Sequence, residues 1–324
     1  NHYLRGSISR HLISLEIMVA SGDLVEVSRE KTSDLFWATV GGLGLTGVIL
    51  SAKLRLQPIS SAYAKYRLIG FKNVGEMIDV IENKKSDYEY ILGWADGNFR
   101  PGKLWHGAVS VGEILPSENV NISLNLPPRR AIKLPFLNPL PWGGMLAGRI
   151  VNKVIGRKFS HGRNGVEDLN QFFFPQDAVT NWNFAFGNSG FVDYQCCVPE
   201  AVGREFFTKV HQFLNKHRVF CFLVAIKRFG SPEYNGPFTF AQDGFSIAMD
   251  IPMQSGLFSL LNLLDEVVVE FGGRINPVKD MRVSPRMLRR MYPKLDEWLE
   301  VKEKYDPKEA FCSDLSRRLE LTSQ

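Results

Sequence analysis

SDLFWATVGGLGLTGVILSAKLRL, residues 33–56, changes character twice, and the order of the changes decides how the chain begins to fold. Thr32 and Ser33 are residue types that cap helices, and the apolar run behind them predicts a short helix through Trp37. Gly41, Gly42, Gly44 and Gly47 then break it, and Val48, Leu50, Ala52, Leu54 and Leu56 alternate as a strand does. Glycine has no Cβ, so backbone here can come close to a ligand or to other backbone. The order is helix, turn, strand. A dinucleotide fingerprint runs strand, turn, helix, so this cluster is a tight turn or a ligand contact but not that motif.

Working outward, HLISLEIMV (11–19) and LVEVS (24–28) read as two strands joined by a Ser-Gly-Asp turn, and Pro58 closes this first unit. Beyond it come strand AKYRLIGF (64–71), helix NVGEMIDVIENKK (73–85), and strands YEYILGWAD (88–96) and HGAVSVGEIL (106–115). Strand GFVDYQCCV (190–198), a helix from about Pro199 to His217, strands FCFLVAIKRF (220–229) and FSIAMDIP (245–252) and helix GLFSLLNLLDEVVVEFGG (256–273) follow. RMLRRMYPKLDEWLEVKEKYDP and FCSDLSRRLEL end the chain. Strand pairs separated by long helices, without regular βα alternation, predict an α+β fold rather than a doubly wound sheet. No internal repeat or low-complexity tract interrupts it.

The length of 324 residues suits two domains, and 44% hydrophobic with 23% charged residues is a globular composition. FCFLVAI is strand length, and no apolar run is long enough for a membrane-spanning helix. The net charge of +5 is unevenly placed. Between Asn119 and Val166 there is no acidic residue, while Arg129, Arg130, Lys133, Arg149, Lys153, Arg157, Lys158 and Arg163 leave the rest of the chain net negative. This basic, proline-rich stretch also carries Phe136 and Trp142, which suits an anionic lipid surface or a lipid phosphate as well as it suits a solvated loop. No nucleic-acid motif accompanies the charge.

Cys196, Cys197, Cys221 and Cys312 lack metal-ligand spacing and read as buried thiols, with Cys196 and Cys197 on opposite faces of one strand. The six histidines form no metal motif, and there is no nucleophile elbow. Lys227, Gln195 and Asp250 fall on predicted strands among apolar neighbours, where a polar group either pairs or faces a cavity. Lys279, in FGGRINPVKDMRVSP (271–285), reads by spacing alone as an ordinary turn lysine.

Five stretches together carry a resemblance: GSISRHLISLEIMVASG (6–22), SDLFWATVGGLGLTGVI (33–49), GFVDYQCCVP (190–199), GGRINPVKD (272–280), and YPKLDEW (292–298) with FCSDLSRRLEL (311–321). Through them the chain resembles the vanillyl-alcohol-oxidase type of FAD-dependent oxidoreductases, within it the members that oxidise a polyprenylphosphoryl ribose. The resemblance runs over nearly the whole chain. It implies a partial FAD-binding domain of the PCMH type from residues 1–58 and 274–324, with the family's front segment preceding Asn1. Residues 59–273 would be a substrate domain, an antiparallel sheet flanked by helices, with a flexible basic loop over about 127–165.

The same resemblance implies non-covalent FAD. It sets Gly42, Gly44, Thr46, Ile49, Asn276 and His2 against that cofactor, and Lys279 beside the flavin ring as the catalytic cation. Lys227, Gln195, Trp94, Phe229, Ser246, Ala248 and Asp193 would line the substrate pocket. Several positions depart from the family pattern: Ala248 stands for a cysteine, Ser246 for an asparagine, Asp193 for a glutamine, and Phe173 and Asn276 for tyrosines. The implied activity is oxidation of the ribose C2 hydroxyl to a ketone, with an NADH-dependent short-chain dehydrogenase as the partner completing an epimerisation and peripheral contact with a membrane. A soluble-sugar or aldonolactone oxidase is the alternative enzyme. A non-enzymatic lipid- or partner-binding fragment is the alternative from another class.

Overall fold

The computed structural model describes residues 2–97, 105–116, 124, 126–128, 131–133, 149, 162–181, 186, 189–231 and 236–323. Of the basic segment, Arg129, Arg130, Phe136, Trp142, Lys153, Arg157 and Lys158 lie outside these residues, and Lys133, Arg149 and Arg163 lie within them.

A three-stranded antiparallel sheet opens the fold, in the order β2 (Leu24–Ser28), β1 (Leu12–Met18), β3 (Val48–Leu54). Alternation along β1 turns Leu15 and Ile17 inward, and a register irregularity between Leu12 and Ser14 lets Leu12 join them against Leu35, Phe36 and Trp37 of helix α1 (Ser33–Thr39). Thr32 precedes that helix in a left-handed conformation and makes no side-chain cap. The alternation predicted for β3 buries nothing: the strand is a sheet edge exposed along its length, Val48, Ile49 and Leu50 included.

The larger sheet is antiparallel throughout, in the order β13-β10-β12-β11-β5-β6-β4-β8. Its strands are β4 (Tyr63–Phe71), β5 (Tyr90–Ala95), β6 (Gly107–Ile114), β8 (Arg163–Asp168), β10 (Phe191–Pro199), β11 (Leu223–Phe229), β12 (Gly244–Pro252) and β13 (Arg274–Ile275). A separate parallel pair joins β7 (Ile132–Lys133) to β9 (Val179–Thr180).

Helices α2 (Val74–Lys84), α4 (Gly203–Lys216) and α5 (Leu257–Glu270) share the main core with one face of the large sheet; a short α3 (Leu169–Phe173) follows β8. Val74, Met77, Ile78 and Ile81 form the buried stripe of α2 at helical spacing, and Asn73 caps it by accepting from the Glu76 N–H. Tyr194, Cys196, Val224, Ile226, Ile247 and Met249 supply the sheet side of this core. PRMLRRMYPKLDEWLEVKEKY forms two helices, α6 (Pro285–Met291) and α7 (Leu295–Tyr305), separated around Tyr292–Pro293, where proline lacks the N–H that a helix interior needs. A last helix, α8 (Asp314–Arg318), is closed by a Ser313–Ser316 capping box. Three cysteines are buried as expected, but Cys312 is exposed.

The two sheets are joined through packing rather than through a strand. Trp298 Nε1 donates to the Ala38 carbonyl at 2.8 Å, and Phe238 stacks edge-on against Tyr292. Tyr292 in turn donates to the carbonyl of Ile275 on β13 at 2.6 Å, just before the loop that carries Lys279.

Candidate active site

With helices on one face of the large sheet, strand alternation sends the other residue of each pair to the open face. Register then aligns chemistry across four strands. Gln195 of β10 lies opposite Ala248 of β12, Ala248 opposite Ala225 of β11, and Ala225 opposite Trp94 of β5. One step along in one direction Asp193 faces Asp250; one step in the other, Ser246 faces Lys227.

Gln195 donates to Ser246 Oγ at 3.2 Å and accepts from Asn276 Nδ2 at 2.9 Å, while the Asn276 N–H bonds the Gln195 carbonyl. Ser246 is 1% exposed and forms the floor beneath this amide pair. Phe229 is buried with Cys197 and Ala241 at the end of the sheet, so it supports the floor rather than lining an open wall.

Lys279 sits on the loop from Asn276 to Ser284, which is pinned from both sides. Asn276 Oδ1 accepts from the Val278 N–H, and Asp280 Oδ2 accepts from the N–H groups of Arg282 and Val283 at 3.0 and 2.8 Å. Arg318 donates to the Asp280 and Val283 carbonyls and pairs with the Asp280 carboxylate at 3.1 Å. Beneath the loop the Arg282 guanidinium meets Asp265 at 2.6 Å, and Tyr194 donates to the same carboxylate. From this clamped loop the Lys279 ammonium reaches back to the sheet and pairs with Asp193.

The charges interact. Burial, and then the neighbouring Asp193 charge, push the Asp250 carboxyl up to about 7. Lys227 is held below the usual lysine range, first because protein atoms surround its ammonium although its surface is open to solvent, then by the Lys279 charge.

Beside Lys227 a cleft of about 240 Å³ runs between His2, Tyr90 and Phe173. Tyr90 meets His2, Phe172 and Phe173 edge to face, giving an aromatic wall. His2 Nδ1 accepts from the N–H groups of Leu4 and Arg5, which puts its proton on the buried Nε2 facing the Glu89 backbone; burial lowers its pKa. His2 thus stands beside Lys227 and Tyr90 and not with the glycine turn. Tyr90 and Phe172 were not singled out from the sequence; their signal is only the aromatic alternation in YEYILGW and the doubled phenylalanines of QFFF.

The remaining residues expected at a cofactor lie on the small sheet. Gly42 fits under α1, where a Cβ would meet the Ala38 carbonyl oxygen at 2.1 Å; Gly44 has φ of +76° and open space around it. Thr46 is fully buried and shares a 2.9 Å hydrogen bond with Thr39, so it braces the turn from beneath, and Ile49 is exposed on β3.

The site therefore brings a cation, two carboxamides and two carboxylates together over Ala248, with an aromatic-walled cleft beside Lys227. No protein-family profile matches the chain. It is 34% identical over 333 residues to decaprenylphosphoryl-β-D-ribose oxidase of Mycolicibacterium smegmatis, across 99% of this chain and 71% of that one. It is 31% identical over 341 residues to an uncharacterised protein from the mprA 5′ region of Streptomyces coelicolor, across 99% and 89% of the two chains. A shorter match, 34% over 89 residues, joins it to D-arabinono-1,4-lactone oxidase of Yarrowia lipolytica, covering 28% of this chain and 16% of that one. The chain belongs to the decaprenylphosphoryl-β-D-ribose oxidase family, within the FAD-linked oxidoreductases of the vanillyl-alcohol-oxidase type. It is an FAD-dependent oxidoreductase.

The residues present fit that cofactor. The Lys279 ammonium and the Asn276 amide are donors of the kind that could meet the carbonyl-rich edge of an isoalloxazine, and Asp193 Oδ1 is buried without a partner among the described residues, leaving room for a further polar group.

Proposed function

We propose that the protein oxidises the C2 hydroxyl of a polyprenylphosphoryl ribose to the 2-keto sugar, the first half of a 2-epimerisation toward the arabinose epimer used in cell-wall arabinan. The observation that carries this reading is the match to decaprenylphosphoryl-β-D-ribose oxidase over 99% of the chain. The polar strip from Lys227 to Asp193 supports it, because a pentose presents several hydroxyls and these groups offer both donors and acceptors.

FAD supplies the hydride acceptor when bound. Lys279 and Asn276 would hold its ring, Gly42, Gly44 and Ile49 would pack against it, and residues 1–58 and 274–324 would form this part of its domain. Residues 59–273 would receive the substrate. Lys279, clamped by Asp280 and Arg318, presents a fixed positive charge that stabilises negative charge developing beside it. Gln195, Ser246 and Lys227 orient the sugar, and the aromatic wall of Tyr90, Phe172 and Phe173 excludes water on the side where the prenyl phosphate enters. A separate NADH-dependent short-chain dehydrogenase completes the inversion. The basic stretch from Arg129 to Arg163 meets lipid headgroups; neutralising four of its residues should weaken binding to anionic vesicles, and unchanged binding removes that role.

A soluble-sugar oxidase is the second reading, favoured by the partial match to D-arabinono-1,4-lactone oxidase. Anaerobic bleaching of the FAD-loaded protein decides between them. Bleaching by a prenylphosphoryl ribose and not by free aldonolactones is the expected result; the reverse overturns the lipid-linked assignment.

A further inference from the structure

Lys279 is engaged as a donor to Asp193, so the proton released by a substrate alcohol needs another destination. Four charged side chains stand on the open face of the sheet around Gln195: Lys279, Lys227, Asp193 and Asp250. Asp193 gives one oxygen to Lys279, and its other oxygen is buried and has no partner among the described residues. Asp250 lies directly across the β10–β12 ladder from it, is 8% exposed, and among the described residues has no hydrogen bond or ion pair to its carboxyl group. A buried carboxyl group is ordinarily paired; one without a partner among the described residues, directly across the ladder from a second carboxylate, is poised for a ligand.

We propose that Asp250 takes the proton of the reacting hydroxyl, and that Asp193, bridged to Lys279, is the residue that positions and tunes it. This rests on the reading that the substrate is an alcohol. The O–H bond breaks and its proton passes to an Asp250 oxygen. The O–H electron pair becomes the second C–O bond of the ketone, and the carbon's hydride leaves with its electron pair to FAD, the oxidant. Asp250 ends as a carboxylic acid and returns its proton to solvent as product leaves.

Among the described residues, the groups that act on Asp250 are Asp193 on β10, Lys279 on the loop after β13 and Cys221 just before β11; Lys227 of β11 stands two same-face steps away along the ladder, opposite Ser246. Burial pushes the Cys221 thiol up, and burial followed by the Lys279 charge holds the Lys227 ammonium below the usual lysine range. Burial and Asp193 raise the Asp250 carboxyl to about 7, against the opposing pull of Lys279, which suits a base working near neutral pH.

The test follows anaerobic flavin bleaching of the FAD-loaded protein over a range of about pH 5 to 9, using whichever alcohol bleaches the parent. Which alcohol bleaches the parent judges the substrate reading; the pH profiles judge this one. The parent rate should rise with pH along a limb centred near neutrality. Asp250→Asn should slow bleaching by about 10²- to 10⁴-fold and abolish that limb. Asp193→Asn should keep the limb but move it to lower pH, because the negative charge opposing ionisation is gone. An infrared carboxyl band titrating near neutrality in the parent and missing from Asp250→Asn would show the same group without turnover. The inference is overturned if Asp250→Asn keeps the parent limb, if Asp193→Asn leaves the limb in place, or if the band survives in Asp250→Asn. Should Asp250→Asn fail to retain flavin, the Asp193→Asn displacement decides alone.

Discussion

Lys279 and Asp193 are 86 positions apart in the chain and form one ion pair, the carboxylate on the rigid strand β10 and the ammonium on a loop tied down by Arg318. The pair fixes the direction of a positive charge that a free lysine would sweep through many rotamers. Its worth lies in placement. With both side chains about a third exposed, the ion pair adds little to stability.

Lys279→Ala should therefore fold and bind flavin but reduce it slowly, by about 10²- to 10³-fold, as for loss of one preorganised charge. Lys279→Arg should recover part of that loss, since a guanidinium still meets Asp193. Anaerobic stopped-flow bleaching reads both. Equal rates for parent and alanine variant would remove the lysine from the chemistry.

Asp250 makes stability depend on pH in a definite direction. Its folded carboxyl titrates at about 7 and an unfolded one near 4, so between these values the folded state keeps a proton that the unfolded state has lost. Stability is full below about pH 4, falls as pH rises through this window, and is flat above about 7. At 1.36 kcal/mol per pH unit the loss is at most roughly 4 kcal/mol. Asp250→Asn should flatten it, so chemical denaturation near pH 5 and pH 8 should show the variant gaining on the parent at the higher value. Parallel loss in both proteins would assign the dependence elsewhere.

Much of this arrangement is written in local pattern. The period-two run FVDYQCCV places Cys196 in the helix-side core and Gln195 on the open face, and Val74, Met77, Ile78 and Ile81 announce α2. What local pattern does not carry is which strand neighbours which. The pairing of Asp193 with Asp250, or of Ala225 with Trp94, depends on register between distant segments. Lys279 is the sharpest case, because its spacing describes a turn and its chemistry comes from a strand far upstream. Thr32 shows the opposite error: a good capping residue whose backbone takes a left-handed conformation and whose hydroxyl caps nothing.

The loop carrying Lys279 rests on a buried ion pair, and that pair should be the more costly one to break. Arg282 and Asp265 side chains are 4% and 2% exposed, and burial raises the Asp265 carboxyl while Arg282 pulls it back. Asp265→Ala leaves an unpaired buried guanidinium and should cost about 3–5 kcal/mol. Replacing both residues by leucine should cost far less, because no charge is stranded. Urea unfolding of the single and double variants measures the difference; equal losses would mean that packing, and not charge, holds the loop.

Gly42 tests the other sheet. A Cβ there would stand 2.1 Å from the Ala38 carbonyl oxygen, the same oxygen that accepts from Trp298 Nε1. Relieving the clash moves Ala38 and pulls the hydrogen bond that ties α7 to α1, so Gly42→Ala combines an overpacking cost of about 1–3 kcal/mol with a weakened buried bond of about 1 kcal/mol. Gly44→Ala is the matched control: its Cβ would meet nothing within 4 Å, leaving only the left-handed backbone penalty of about 1 kcal/mol. The flavin-to-protein absorbance ratio and the unfolding midpoint should both fall further for Gly42→Ala than for Gly44→Ala. If the two variants behave alike, conformational freedom rather than close approach is what the glycine turn supplies, and the contact between Ala38 and Trp298 has no part in holding the cofactor's side of the molecule.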